Sequence, residues 1–398
     1  IKFNNLVLRF FQQSIENNKQ NLYNAYNTIN IDKSNEMNIT QLYPMLEGQV
    51  SALSSGIVSP RQAINTLNTL FKSDLYEKKQ NSFMLYPRKK LKRFLEKNII
   101  SNKTVKKSTL FKALIKLKNT DIIYKDSSGK YRFSDDLINS NCLKNKLSDL
   151  AKIKHIKEDI KNGGDEVIKH YIEIFDHQNY TGRSGTMYAY EGIGSIYWHM
   201  VSKLLLATQE LFFHAIAINE KLSIIQNLGV LYYKIRSGLS SEKTPEKYGA
   251  FPYDPYSHTP YNRGAQQPGM TGQVKEEIIT RMGELGCKVK DQKLVFNPKL
   301  LKRSEFLEKN STISYVDIDG SICQEKLMPN QLGFTYCQVL IIYQLTNEES
   351  SILIEYKDKK TKTLKGVEIP RNDSNEIFNR SGRIQKITVY HPTSTFIF

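Results

Sequence analysis

Cysteine and tryptophan are both scarce in this chain: its 398 residues include four Cys and a single Trp. Cys142, Cys287, Cys323 and Cys337 form no CxxC pair and show no Cys/His ligand spacing. A zinc ribbon and a disulfide framework are thereby excluded; the thiols read as reduced, as in a cytoplasmic protein, and no metal or organic cofactor is expected. Acidic residues also run short, 40 against 57 Lys and Arg, for a net charge of +17. Such an excess can mark a nucleic-acid or anionic-surface partner. Here it is scattered through a chain also rich in Asn and Ile, which reads as lysine-biased composition more than as a focused footprint. A long uninterrupted apolar run is missing as well. The most apolar stretch, residues 193–218, contains His199, Lys203, Gln209, Glu210 and His214, too polar to cross a bilayer without partners, so no membrane association is expected. No signal peptide is visible. The chain opens on Ile1 inside an apolar, helix-like run without an initiator Met, and is expected to continue a longer polypeptide N-terminal to Ile1.

What is present suffices for a globular fold. Hydrophobic residues make up 39%, with 23 Tyr and 18 Phe to fill a core, and the length allows two domains, or one with a module. Residues 1–29 read as helix, 30–38 as a polar connection, and 42–53 as a second helix. Ser59-Pro60 starts a third, with Ala63, Ile64, Leu67, Leu70 and Phe71 as its buried stripe. Residues 89–98 and 106–119 look helical and basic. Two short runs flanking Asp126-Ser127-Ser128-Gly129 then signal a hairpin, so that this stretch resembles a winged helix. Basic helix follows to residue 162. After a polar, glycine-containing loop (177–192) comes the strongest helix, on which Ile193, Tyr197, Met200, Leu204, Leu211 and Ala215 keep helical spacing and apolar residues cover much of the circumference. Beyond Gly286 the period becomes two, in short β-rich runs at 288–290, 294–296, 314–316, 333–345, 351–356 and 386–390. The expected fold is mainly α: an α/α toroid, part of an (α/α)6 barrel, over residues 1–286 with a basic helix–hairpin insert at about 88–162. An antiparallel β-sandwich follows over 287–398.

The most unusual stretch is 248–286. Four of the twelve prolines (Pro252, Pro255, Pro260, Pro268) and five aromatics (Tyr248, Phe251, Tyr253, Tyr256, Tyr261) fill its first part, which cannot be regular helix. At Thr271 the pattern changes to an amphipathic helix carrying Val274, Ile278, Met282 and Leu285. A long aromatic loop therefore ends at a helix N-terminus, whose free backbone N–H groups favour an anion.

These blocks resemble the inverting disaccharide phosphorylases of the cellobiose and chitobiose phosphorylase type, in the six-hairpin glycosidase superfamily. Leu46-Glu47-Gly48-Gln49, Ser54-Ser55-Gly56-Ile57 and Leu85-Tyr86-Pro87 resemble that family's LNPQ, LSGVA and LLYPP runs. Pro268-Gly269-Met270-Thr271-Gly272, the helix after it and Leu294-Val295-Phe296-Asn297-Pro298 resemble its WLTGTASWM helix and its LRIDP entry into the sandwich. Tyr180 to Glu191 stands where the family has its ENGG loop. The chain is also similar to a group of large bacterial proteins.

The resemblance implies cleavage of a glycosidic bond in a disaccharide or oligosaccharide, with inversion and with inorganic phosphate as co-substrate. It assigns the phosphate to Thr271 and Gly272. The family's phosphate-binding His aligns near Ala189 and is absent there, leaving Arg183, His177, His258 and Arg263 as substitutes; Gln49, Tyr190, Tyr253 and Tyr256 are further substrate-binding candidates, the tyrosines by stacking on sugar rings. The family's general acid falls upstream of Ile1. If water attacks instead, Glu191 or Glu47 is the carboxylate to test. Each assignment has a plainer rival. Glu191 also suits a first helical turn and Thr271 an N-cap, Trp198 suits packing, and His199 and His214 read as core histidines. Two other functions compete, a non-catalytic barrel scaffold and nucleic-acid binding through the basic insert. The second ranks below the enzyme and requires Lys106, Lys107, Lys112 and Lys116 to face outward together.

Overall fold

The computed structural model describes residues 2–17, 21–25, 27–31, 37–41, 44–87, 94–175, 195–239, 242–243, 258–260 and 271–398. Two compact units result, one of Ile1–Pro87 with Ser195–Phe398 and one of Arg88–Gly194.

The first unit opens with helix α1 (Lys2–Ile15), shorter than the helix expected over 1–29. Two hairpins follow, β1 (Glu16–Asn17) with β2 (Leu22–Tyr23) and β3 (Asn27–Ile31) with β4 (Met37–Gln41). The ends of the expected polar connection thus belong to two paired strands rich in Asn, Thr and Ile, a β pattern too polar to stand out. Helices α2 (Leu46–Ser54) and α3 (Pro60–Leu70) follow in sequence. Gly56, at φ +76°, ends α2 in the left-handed conformation only Gly adopts cheaply. A capping box of Ser59 and Gln62, with Pro60 in the first turn, starts α3. A small hairpin of β5 (Tyr76–Glu77) and β6 (Ser82–Phe83) closes this part.

The second unit is built on its own core of Leu110, Phe111, Phe133, Leu143, Val167 and Tyr171. Its elements are α4 (Phe94–Lys97), α5 (Asn102–Lys107), α6 (Thr109–Lys116), the hairpin of β7 (Ile123–Lys125) and β8 (Tyr131–Phe133), α7 (Ser140–Leu150) and α8 (Lys157–Phe175). The single helix expected over 106–119 is in fact two, broken at Ser108, which caps α6 through the Phe111 N–H. In the hairpin turn, the Asp126 carboxylate accepts from Ser128 Oγ (2.7 Å), the Lys130 N–H (2.9 Å) and Arg132 Nε (2.5 Å). Those bonds, Ser128's foremost, hold its pKa well below the carboxylate range. The unit runs past the boundary expected at 162, because α8 packs its Val167, Tyr171 and Phe175 into the same core.

The first unit resumes with β9 (Ser195–Tyr197), α9 (Trp198–Ala217), α10 (Leu222–Arg236), β10 (His258–Pro260) and α11 (Thr271–Glu284). Helix α9 is the hub: it packs against α2, α3, α10 and α11, and Trp198, Leu204, Leu205, Phe212 and Ala215 are fully buried. Its apolar residues lie all round because it has neighbours all round. Helices α9 and α11 run in the same direction. His199, near the start of α9, meets Glu276 in the second turn of α11, and further along both helices Gln209 Nε2 donates to the Thr280 carbonyl (2.7 Å). They approach so closely that a Cβ on Gly283 would overlap the Gln209 amide.

The C-terminal part consists of the hairpin β11 (Cys287–Lys290) and β12 (Lys293–Phe296), the hairpin β13 (Ser311–Val316) and β14 (Ile322–Leu327), strands β15 (Gln331–Tyr336), β16 (Val339–Thr346), β17 (Ser351–Tyr356) and β18 (Thr361–Lys365), helix α12 (Arg371–Phe378) and strand β19 (Ile384–Pro392). The main sheet has the order β15-β16-β19-β17-β18. Here the structure departs from an all-antiparallel arrangement: β16 and β19 pair in parallel. Strand β19 inserts between β16 and β17, which run in opposite directions, so it must be parallel to one of them. One face buries Ile341, Tyr343, Ile354 and Val389 beneath β12 and α12, and the other buries Leu340 and Ile342 beneath the β13–β14 hairpin. Coverage on both faces explains the unbroken Val339-Leu340-Ile341-Ile342-Tyr343 run. The apparent single run over 333–345 is two strands joined at Cys337 and Gln338, both at positive φ, a tight turn without the usual Asn-Gly signal.

A buried polar cluster fastens helices to sheet. Glu284, fully buried, accepts from Tyr232 Oη (2.6 Å) and Arg281 Nη1 (2.7 Å) and pairs with Arg236 Nε (3.1 Å). Burial works against the Arg281 charge, but bonds to Glu305 and Glu284 more than offset it and raise its pKa. Tyr343 Oη donates to the Leu285 carbonyl and Tyr233 Oη to that of Leu300. Phe398 closes against α10, lying over Gly229 and beside Tyr233.

Candidate functional site

Backbone hydrogen bonds draw three helix N-termini to one end of the first unit. The Leu46 N–H, opening α2, donates to the Leu85 carbonyl (3.0 Å). The neighbouring Met84 bridges to Ile196 in β9, directly before α9. Strand β9 pairs antiparallel with β10, in the register His258 with Tyr197, Thr259 with Ile196 and Pro260 with Ser195. Since α11 runs parallel to α9 and touches it near its start through Glu276 and His199, the Thr271 end belongs to the same pole. The segments that leave the loop at 177–192 and cross the one at 248–270 are therefore hydrogen-bonded neighbours. Parallel helices that start together align their dipoles, so this pole favours negative charge.

Of the candidate residues, Glu191, His177, Arg183, Arg263, Tyr190, Tyr253 and Tyr256 lie outside the described residues. Thr271 and Gly272 are the first two residues of α11, and His258 is the first of β10. Glu47 sits in the first turn of α2, partly buried, on a pocket of about 220 Å³ lined also by Tyr23, Asn24, Gly48, Ser51 and Ser55. Gln49 is placed otherwise than a ligand-binding role requires. It is fully buried, its Nε2 donating to the carbonyls of Tyr23 (2.7 Å) and Met45 (3.0 Å) while its Oε1 accepts the Tyr23 N–H (2.9 Å). The amide is saturated by backbone, so Gln49 pins the segment around Tyr23 onto α2. Trp198 is fully buried beneath the Lys243 ammonium, 4.4 Å from its ring centre, which fits the packing reading.

Sequence reasoning missed one pair, His199 and Glu276. His199 retains 24% of its side-chain exposure and holds Nε2 3.4 Å from the Glu276 carboxylate, itself 5% exposed. A buried acid beside a partly exposed imidazole at this pole is not the core histidine that an apolar helix suggested. The available signal was position: His199 is the second residue of its helix, where a side chain reaches the end rather than the flank. Among the described residues, no three His, Cys, Asp or Glu side chains are placed to hold a metal ion, and no helix is long and apolar enough to cross a membrane.

Residues 91–178 match the family model described as GH149 phosphorylase insertion domain 2, a span inside the second compact unit. No curated protein matches the chain. Through this unit the chain is related to glycoside phosphorylases.

Proposed function

We propose that this chain is part of a glycoside phosphorylase-like enzyme that cleaves a glycosidic bond of an oligosaccharide or disaccharide with inversion, using inorganic phosphate as the attacking group. The observation that carries this is the phosphorylase insertion-domain match at 91–178 in a chain whose other unit gathers three helix N-termini at one pole. The architecture in mind is a partial α/α toroid followed by a β module. In its favour, the consecutive helices α2–α3 lie along the α9–α10 hairpin with α2 on α9 and α3 on α10, and α11 packs on α9 as well.

An inverting displacement needs an acid on the leaving oxygen and a nucleophile on the opposite face of the sugar. Phosphate brings its own charge, so the protein's part is to offer N–H donors and cations. The first N–H groups of α11 at Thr271 and Gly272 supply the donors, and His199, held beside Glu276, supplies an imidazole at the same end. His258 enters that end on β10. Glu47, in the first turn of α2, is the described carboxylate that would serve a hydrolase. The test is incubation of the full-length protein, including the sequence expected before Ile1, with an oligosaccharide panel, with and without phosphate. Phosphate-dependent release of a sugar 1-phosphate of inverted configuration is expected. Equal sugar release without phosphate, lost in Glu47→Gln, would make the enzyme a hydrolase, and no cleavage under either condition would sink the enzymatic reading.

One observation favours a second reading, nucleic-acid binding by the second unit. Lys106, Lys107, Lys112 and Lys116 are all exposed, the last two on one stripe of α6. Retention on duplex DNA that weakens steeply with salt would support it; absent or salt-insensitive binding eliminates it.

A further inference from the structure

One amide lies between two of the helices whose starts define the anion-favouring pole. Gln209, midway along α9, is 4% exposed. Its Nε2 donates to the Thr280 carbonyl of α11 (2.7 Å) and to Tyr232 Oη of α10 (3.3 Å), which uses both of its protons. Tyr232 Oη donates in turn to Glu284 Oε1 (2.6 Å), one turn beyond Thr280 on α11. The amide lies against the bare backbone of Gly283, where a Cβ would stand 2.1 Å from its Oε1. One side chain of α9 is thus fitted to a single turn of α11, the turn from Thr280 to Gly283.

Burying an amide adds little net stability, since each of its bonds replaces one to water. What a buried polar side chain does between parallel helices is fix their axial register, because sliding by one residue breaks its bonds while apolar contacts re-form. At this pole register has a chemical consequence. Gln209 stands ten residues after His199, and Thr280 nine after Thr271. At ~1.5 Å of rise per residue the bond between them lies about 15 Å from the one and about 13.5 Å from the other, so it sets the two ends nearly level. A slip of one residue would carry one end past the other by ~1.5 Å, and a misplacement of about 1 Å can cost about a hundredfold in rate. Arg281, bonded to Glu284 and to Glu305 of the β module, anchors the same turn of α11, so α9 is set against a fixed helix.

We infer that Gln209 is a positioning residue for the proposed phosphate site: it holds the first N–H groups of α11, at Thr271 and Gly272, level with His199, and acts through them rather than by touching phosphate. The inference rests on the phosphorylase reading of this pole.

The test uses the full-length protein and Gln209→Met. Met keeps the length of the side chain and leaves no buried donor unpaired, because Tyr232 still donates to Glu284. The urea midpoint should stay at the parent value, KM for phosphate should rise about tenfold or more, and KM for the oligosaccharide should not move. In a crystal structure of the variant, Thr271 should be displaced along α9 relative to His199 by about one residue's rise, ~1.5 Å. A variant that loses stability and both KM values together makes Gln209 a structural residue only and overturns the inference. So does a variant whose two helices keep the parent register. A parent that binds no phosphate sinks the phosphorylase reading instead, and the register seen in the crystal then decides by itself whether Gln209 sets the level of the helix starts.

Discussion

His391 carries the clearest single-residue consequence. It is fully buried in β19, its ring edge-on to Tyr343 and Phe396 at centroid distances of 4.8 and 6.0 Å, and neither ring nitrogen has a hydrogen-bond partner among the described residues. Burial, with a smaller contribution from the Lys299 charge, pushes its pKa down to about 4 from an ordinary 6.5. The unfolded chain therefore takes up a proton between those values that the folded chain refuses. The stability at stake is fully present above pH 6.5, is lost as the pH falls, and amounts to about 3 kcal/mol by pH 4. His391→Phe keeps the ring contacts without the titration and should flatten the pH dependence of urea unfolding across that window by this amount. An unchanged slope would place the acid sensitivity elsewhere. At the proposed active pole, His199→Asn should raise KM for phosphate at least tenfold with a much smaller change in kcat. A fall in kcat at unchanged KM for phosphate would remove His199 from the phosphate site.

At the scale of elements, the fold depends on a junction of α10, α11 and the β module made largely of polar groups. Glu284 neutralises Arg236 and Arg281 in a fully buried position. Glu284→Gln keeps the volume but leaves two guanidinium groups short of a carboxylate, and should cost about 3 kcal/mol in denaturant unfolding. Much at this scale was legible in the sequence. Ser59-Pro60 announced the start of α3, and the circumferential apolar pattern of α9 announced a helix with neighbours on several sides. Less legible were elements that break composition rules. The β3–β4 hairpin is built from Asn, Thr and Ile, Ser108 divides what looks like one basic helix, and Cys337-Gln338 makes a turn without glycine. In each case a tertiary contact or an uncommon backbone conformation outweighs local propensity.

At the scale of the whole molecule, the second unit carries a core of its own, distinct from the cluster beneath the main sheet. Calorimetry should accordingly resolve two transitions, and Phe111→Ala should lower only one of them, by about 3 to 5 kcal/mol of unfolding free energy. A single cooperative transition shifted as a whole would mean that the units are energetically one. By itself the sequence determined the helical and β-rich portions, the basic insert, and the loop-to-helix transition at Thr271, because periodicity and proline placement act locally. Only the tertiary structure decided that the starts of α2, α9 and α11 share one pole, that Gln49 is spent on backbone, and that His199 lies against Glu276. Those are matters of which distant segments meet. Helix packing direction and a three-residue strand pairing settle them, and neither leaves a mark in the local pattern of residues.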